Sequence, residues 1–132
     1  MEKHSQEARK HIFALNGSPD FLNIVRELFQ EEDYNVTTTN FVPTSFEQIV
    51  AAQPDVLIVD VAVGERAGWE LLEQLHVGAA TTGIPVLVLS TSPRLLETAR
   101  EQAERYGNHH YLAKPFDLDA LLTSIREMIG EA

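Results

Sequence analysis

The fold is decided by the stretch HIFALNGSPDF at residues 11–21. Its first five residues form a short apolar segment that is typical of a buried strand. A helix start follows at once, because Ser18 can cap a helix and Pro19 suits the first helical turn. Strand-to-helix turns of this kind lie at the carboxyl edge of a parallel sheet, where α/β proteins build their sites. The turn residues Asn16 and Gly17 are uncharged, so the chemistry of any site must come from neighbouring strands.

Strand signals recur four more times along the chain. The clearest strand is VLIVDVAV at residues 56–63, which is apolar on both faces and therefore indicates a central parallel strand covered by helices on each side. Further strands are predicted at residues 34–39, 85–90 and 109–113. The last of these is less apolar, which favours a place at the edge of the sheet.

A helix signal follows each predicted strand, as apolar residues at helical spacing. The five apolar stripes are Phe21, Leu22, Ile24, Val25, Leu28 and Phe29; Phe46, Ile49 and Val50; Trp69, Leu72 and Leu75; Leu95, Leu96, Ala99 and Ala103; and Leu118, Leu121, Leu122, Ile125 and Ile129. Asp117 is placed to cap the last helix. Five strand–helix units predict a doubly wound parallel sheet with helices on both faces.

Length and composition fit a single domain. The 132 residues are predicted to divide into a polar extension at residues 1–10 and one domain at residues 11–130. The net charge of −10 repels phosphate backbones, so the domain alone is not expected to bind nucleic acid. The absence of cysteine excludes disulfides and thiolate metal sites. Without a membrane-spanning apolar run or a signal core, we predict a cytoplasmic protein that has no membrane contact.

Three polar side chains end three different predicted strands. Asp60, Ser90 and Lys114 close the third, fourth and fifth strands, and we expect them to meet because parallel strands share one carboxyl edge. An aspartate can attack a phosphoryl group and form an acyl phosphate. A lysine can hold the phosphoryl oxygens as a point charge, and a hydroxyl can donate to another oxygen. The combination favours a site that accepts a phosphoryl group.

With these residues in place, the chain resembles the receiver domain of a bacterial two-component response regulator. The resemblance covers residues 11–129 and is carried by three motifs, PDVLIVDVAVGERAGWELLEQL at 54–75, IPVLVLSTS at 84–92 and HHYLAKPF at 109–116. It implies a flavodoxin-like fold with five parallel strands in the order 2-1-3-4-5 and five helices. It also implies a histidine kinase or phosphotransfer protein as phosphoryl donor and a downstream effector protein as the recipient of the signal.

The resemblance also assigns a role to individual residues. Asp60 falls on the phosphoacceptor of the family, and Lys114 and Ser90 fall on the residues that contact the phosphoryl group. Tyr111 falls on the aromatic residue that changes rotamer upon activation. Gly68 matches a glycine at the start of the third helix.

Asn16 and Gly17 depart from the family pattern, in which the first strand ends in two acids that bind magnesium. Asparagine keeps one carbonyl oxygen but no charge, and glycine offers no side chain. Magnesium demands near-ideal octahedral oxygen ligation. The remaining ligands would be the Asp60 carboxylate and the backbone carbonyl of Ala62, with Asp20 about a helical turn too far away. We therefore predict that magnesium binds only weakly.

Two interpretations of the site stay open. In the first, Asp60 still accepts a phosphoryl group; in the second, a degenerate receiver binds partner proteins without phosphorylation. Each residue also has a purely structural interpretation. Asp60 and Lys114 would be an ion pair, Ser90 a hydroxyl bonded to a neighbouring loop, and Tyr111 an aromatic ring packed on the fourth helix. A further hypothesis is an anion held by the backbone amides of residues 17–18 at the helix start.

No motif of a turnover enzyme accompanies these residues. The chain lacks G-x-G-x-x-G, G-x-x-x-x-G-K-[ST], G-x-S-x-G and H-E-x-x-H, so we do not expect an enzyme. We expect no output domain after the fifth helix, and therefore expect the signal to pass to a protein partner. In the family, the fourth helix, fifth strand and fifth helix form the contact face. Its candidate residues here are Arg94, Glu97, Arg100, Glu101 and Tyr111.

Overall fold

A computed structural model of the chain describes residues 9–41, 44–61, 66–106, 109–114 and 117–130. Within these ranges five strands alternate with five helices, as predicted. The strands are β1 (His11–Leu15), β2 (Asn35–Thr39), β3 (Val56–Asp60), β4 (Val86–Ser90) and β5 (His109–Ala113). The helices are α1 (Pro19–Glu31), α2 (Ser45–Ala52), α3 (Ala67–Val77), α4 (Pro93–Tyr106) and α5 (Leu118–Ile129). None of these helices is both long and apolar enough to cross a membrane. The predicted extension at residues 1–10 lies almost entirely outside the described residues.

The strands form one parallel sheet in the order β2-β1-β3-β4-β5, which confirms the predicted flavodoxin-like topology. The three central strands, β1, β3 and β4, are built almost wholly of buried apolar residues, because helices cover both of their faces. In the register of the sheet, Leu15 pairs with Val59 and Asp60 pairs with Leu89. The carboxyl ends of neighbouring strands therefore finish level with one another, at a single edge.

Successive residues of each strand point to opposite faces and build two hydrophobic clusters. The helices α1 and α5 cover the first face, and α2, α3 and α4 cover the second. The buried helix residues of the first cluster are Leu22, Val25, Phe29, Leu121, Leu122 and Ile125. Those of the second cluster are Ile49, Leu71, Leu72, Leu75 and Leu96. Burial of this apolar surface is the main term that stabilises the three layers.

Two residues of the predicted helix stripes lie in solvent instead. Ile24 is 44% exposed, because the buried positions of α1 form an arc too narrow to include it. Leu118 is 43% exposed, because it opens α5 one turn before the first buried position, Leu121. The buried stripe of α1 is thus narrower than predicted, and that of α5 is shorter than predicted.

Side-chain caps fix where α1 and α5 begin. Ser18 Oγ accepts a hydrogen bond from the Phe21 amide at 3.3 Å, and Asp117 Oδ1 accepts one from the Ala120 amide at 2.7 Å. Both caps are the predicted ones. They set the first turn of each helix close to the edge where the strands end.

Candidate functional site

Asp60 and Lys114 meet at the carboxyl edge of the sheet. Asp60 is the last residue of β3, and Lys114 directly follows β5. Lys114 Nζ lies 2.8 Å from Asp60 Oδ1, and the two side chains are 24% and 16% exposed, respectively. The Lys114 amide donates to the Ser90 carbonyl at 2.8 Å, so the backbone anchors the lysine beside β4. The structure thus brings together two residues that the sequence analysis places in one site.

Phe21 supports the Lys114 ammonium from the helix side. Lys114 Nζ lies 5.0 Å from the centroid of the Phe21 ring, within the range of a cation–π interaction. The predicted site does not include Phe21. Its position in the first helical turn after a strand end is nevertheless a sequence signal, because that turn stands over the edge of the sheet.

Ser90 ends β4 and is fully buried. Its Oγ accepts a hydrogen bond from the Ser92 amide at 3.1 Å. This is the bond to a neighbouring loop that the structural interpretation of Ser90 predicts. The register partner of Asp60 is Leu89, so Ser90 stands one residue further along the neighbouring strand. Within the described residues, no hydrogen bond joins the side chains of Ser90 and Asp60. The hydroxyl is therefore held at the same edge but not against the carboxylate.

Asn16 is buried, and the oxygen and nitrogen of its side-chain amide differ in whether they have a hydrogen-bond partner among the described residues. The residue is only 5% exposed. Its Oδ1 accepts a hydrogen bond from the Ser18 amide at 2.8 Å, and this donor fixes which amide atom is the oxygen, since an NH₂ group cannot accept it. Its Nδ2 has no hydrogen-bond partner within the described part of the chain. The Asn16 oxygen therefore already accepts one hydrogen bond, and the amide atom that lacks a partner among the described residues is a donor.

The described residues do not suit a divalent cation. Gly17 has no side chain, Asp20 is exposed on α1, and the predicted backbone ligand Ala62 lies outside the described residues. In the part of the chain that is described, no group of three or more histidine or acidic side chains is placed to hold a metal ion. Asp60 is already paired with Lys114. Among the described residues, the predicted ligand set is therefore reduced to one carboxylate that already has a partner.

The turn after β1 has open space, and two backbone amides of the turn and the helix start are already hydrogen-bonded. A Cβ built on Gly17 would meet nothing within 4 Å, so packing does not require glycine there. The Ser18 amide donates to Asn16 Oδ1, and the Phe21 amide donates to Ser18 Oγ. The anion hypothesis relies on the amides of residues 17–18, and of these the Ser18 amide already donates within the turn.

Tyr111 packs against α4, as its structural interpretation predicts. The Arg100 guanidinium lies 5.5 Å from the centroid of the Tyr111 ring. Arg100 also lies 4.0 Å from Glu97 in an exposed ion pair. The ring is half-buried and belongs to the border of the second hydrophobic cluster. Any movement of this ring would therefore change the contacts between α4 and β5.

Gly68 lets α3 approach the backbone of β3 at Asp60. A Cβ at Gly68 would lie 2.6 Å from the Asp60 carbonyl oxygen and 2.9 Å from Val61 Cγ1. Such distances are well inside van der Waals contact, so only glycine fits here. The family resemblance places a glycine at this position, and the structure supplies the steric reason.

Known proteins share this sequence pattern. A family model described as the response regulator receiver domain matches residues 12–126. The protein PilH of Pseudomonas aeruginosa is 32% identical over 78 residues, which cover 59% of this chain and 63% of PilH. The regulatory protein VirG of Agrobacterium tumefaciens is 29% identical over 121 residues, which cover 91% of this chain and 43% of VirG. The matched region thus spans less than two thirds of either relative.

A solved structure supports the fold independently. The chemotaxis response regulator CheY4 of Vibrio cholerae superposes with a TM-score of 0.78 at 21% identity, over 92% of this chain and 99% of that one. The family match extends over most of the chain and includes the positions of Asp60, Ser90 and Lys114. The chain therefore belongs to the response regulator receiver domains, the modules that receive the signal in two-component systems.

Proposed function

We propose that this domain accepts a phosphoryl group on Asp60 and signals its phosphorylation state to a partner protein. The observation that carries the proposal is the 2.8 Å contact between Asp60 Oδ1 and Lys114 Nζ. A carboxylate at this edge can act as a nucleophile. The ammonium beside it compensates the negative charge that arrives with a phosphoryl group.

The proposed reaction transfers one phosphoryl group between two proteins. An Asp60 carboxylate oxygen attacks the phosphorus of a phosphohistidine on a histidine kinase or phosphotransfer protein. A P–O bond forms, the P–N bond breaks, and its electron pair stays on the imidazole that leaves. The product is an acyl phosphate. Lys114 attracts the oxygens of this phosphoryl group. Ser90 accepts a hydrogen bond from the Ser92 amide, so its hydroxyl can donate a hydrogen bond to one of these oxygens.

Magnesium binding is proposed to be weak in this domain. Receiver domains in general bind Mg²⁺ at the phosphorylation site. Here the two positions that carry acids in the family are Asn16 and Gly17, and the Asn16 oxygen already accepts from the Ser18 amide. The loss of two charged ligands leaves Asp60 as the only predicted carboxylate ligand.

The effector protein is proposed to bind the face formed by α4, β5 and α5. Arg100 and Tyr111 lie in contact on this face, so a change at the end of β5 would alter its shape and charge. The mixed charges of α4 suit a transient polar interface. The acidic balance of the chain supports a protein partner rather than nucleic acid. Cytoplasmic location and the absence of enzymatic turnover remain predictions from the sequence.

Intact-mass measurement after incubation with a small acyl phosphate tests the proposal. In this assay the Asp60 carboxylate attacks phosphorus and a carboxylate leaves, so no protein donor is needed. The wild-type chain is expected to gain the mass of one phosphoryl group, and Asp60→Asn is expected to gain none. An adduct that persists in Asp60→Asn, or no adduct at high donor concentration, would contradict the proposal. The second result would favour a degenerate receiver that binds partners without phosphorylation.

A further inference from the structure

We infer that this site holds the phosphoryl group of Asp60 without a divalent cation, and that the side-chain amide of Asn16 donates a hydrogen bond to it. The inference rests on the proposed function, because it concerns the same acyl phosphate. It assigns to Asn16 the task of a hydrogen-bond donor at a position where the family has a metal ligand.

The first support is the unpaired donor of Asn16. The residue is 5% exposed, and its Nδ2 has no hydrogen-bond partner among the residues that the structure describes. A buried donor without a partner is destabilising, so buried polar groups are almost always paired. The amide cannot relieve this cost by flipping, because Oδ1 accepts from the Ser18 amide. Nδ2 is therefore preorganised to receive an acceptor that arrives later.

The second support is the place of Asn16 relative to Asp60. Continuing the β1–β3 register by one residue sets Asn16 opposite Asp60 on neighbouring strands, whose axes lie about 4.8 Å apart. Alternation sets both on the face covered by α1 and α5, because Ala14 and Ile58 belong to the first cluster. The Phe21 ring that supports Lys114 also packs on that face. Donor, carboxylate and ammonium thus gather on one side of the edge.

The third support is the formal charge of the site. In the family, the charges of the two acids and of one divalent cation sum to zero. In this chain the corresponding residues, Asn16 and Gly17, are uncharged, so their positions are neutral without a cation. A phosphoryl group on Asp60 would meet the Lys114 ammonium and a neutral donor, with no further carboxylate at the two replaced positions to repel it. No cation is therefore needed here to balance the charge of two acids, and the Lys114 ammonium remains to face the phosphoryl oxygens.

The experiment compares initial rates of acyl-phosphate labelling in magnesium and in excess EDTA. The wild-type rate in EDTA is expected to be within about twofold of the rate in magnesium. Asn16→Asp keeps the acceptor for the Ser18 amide and nearly the same shape, but replaces the donor with a charged oxygen. Its rate in EDTA is expected to fall by about tenfold to a hundredfold, the effect of losing a hydrogen bond to a charged group and adding repulsion.

A matched control separates this effect from a general change in charge. Asn23→Asp makes the same substitution on the exposed surface of α1 and is expected to leave both rates unchanged. Thermal melts of each variant check that the fold is intact. Should Asn16→Asp fold poorly, the wild-type ratio of the two rates still decides whether a cation is needed.

The outcomes distinguish the inference from the proposed function. Labelling of the wild type only in magnesium would overturn the inference while leaving Asp60 as the phosphoacceptor. Equal rates for Asn16→Asp and wild type in EDTA would overturn the role of the Asn16 donor. No labelling of the wild type in either buffer would overturn the proposed function and the inference with it.

Discussion

At the scale of single residues, Lys114 is the side chain on which the site depends most. It pairs with Asp60 at 2.8 Å, stacks on Phe21, and is anchored through its amide to β4. Asp60 is only 16% exposed, so solvent cannot fully replace the ammonium. The ammonium therefore compensates the charge of a carboxylate that is shielded from water, and it is also proposed to attract the incoming phosphoryl group.

Substitution of Lys114 is expected to affect both properties. Lys114→Met should lower the rate of Asp60 labelling by about tenfold to a hundredfold, because a charge-assisted contact with the phosphoryl oxygens is lost. It should also lower the free energy of unfolding by about 1–3 kcal/mol, since the carboxylate loses its partner. Mass spectrometry and urea denaturation measure the two effects.

Lys114→Arg serves as the charge-preserving control for this prediction. A guanidinium keeps the positive charge, but its planar fork differs in geometry from the ammonium, so partial labelling is expected. Stability close to that of the wild type is expected as well. If Lys114→Met labelled as fast as the wild type, the ion pair would be purely structural, and the proposed role of Lys114 would be wrong.

At the scale of secondary-structure elements, the junction between β3 and α3 places Asp60. Gly68 allows α3 to lie against the end of β3, where an added Cβ would come within 2.6 Å of the Asp60 carbonyl oxygen. A methyl group here must displace backbone rather than a flexible side chain. The helix start and the strand end would separate, and Asp60 would move with the strand end.

Gly68→Ala is therefore expected to be destabilising by about 1–3 kcal/mol, as overpacking typically is. Its labelling rate should fall as well, because Asp60 shifts relative to Lys114. Gly83→Ala is the matched control, since a Cβ at Gly83 would meet nothing within 4 Å and no left-handed backbone requires glycine there. Urea denaturation of both variants checks the prediction. Equal stabilities would show that the close contact is not maintained in solution.

The sequence predicts the elements well for a physical reason that is visible in β3. Residues 56–59 are apolar and buried on both faces. In a chain of alternating strands and helices, this pattern is typical of a central parallel strand that is covered by helices on each side. Ile24 and Leu118 were placed wrongly, because helical periodicity indicates which residues share a face but not how much of that face the sheet covers. The way each helix packs on the sheet determines how many of its apolar residues are buried.

At the scale of the whole molecule, folding is coupled to the protonation of His11. Burial lowers the pKa of His11 below its ordinary value of 6.5, and the neighbouring Asp55 carboxylate offsets this only in part. The ring Nε2 lies 2.8 Å from Thr37 Oγ1, so the side chain ties the start of β1 to β2. The pKa of His76 is also lowered by burial, with Glu73 opposing the effect.

The chain is therefore expected to lose stability as the pH falls below about 6.5. The unfolded state takes up a proton at the ordinary pKa, whereas the folded state does so only at lower pH, so acid favours unfolding in the interval between the two values. Urea denaturation at pH values of about 7.5 and 5.5 measures the change. The double variant His11→Gln, His76→Gln should have a smaller pH dependence, and an unchanged dependence would contradict this assignment.

The site is only partly predictable from the sequence, and Asn16 shows why. The positions of Asp60, Ser90 and Lys114 follow from strand ends that share one edge of a parallel sheet. The hydrogen bond from the Ser18 amide to Asn16 Oδ1 depends on local backbone geometry, which no residue pattern specifies. The sequence shows that Asn16 lacks the charge of the family's metal ligand, but not that its nitrogen is left without a partner among the described residues. Phe21 also enters the site through a contact with Lys114, which is distant from it in sequence.

The most direct test of the account is the location of the phosphoryl group after labelling of the wild-type chain in EDTA. Tandem mass spectrometry of the digested protein maps the adduct to a single residue. We predict one phosphoryl group on Asp60, formed without any divalent cation. An adduct on another residue would contradict the role of Asp60, and an adduct on Asp60 that forms only when magnesium is restored would contradict the role of Asn16.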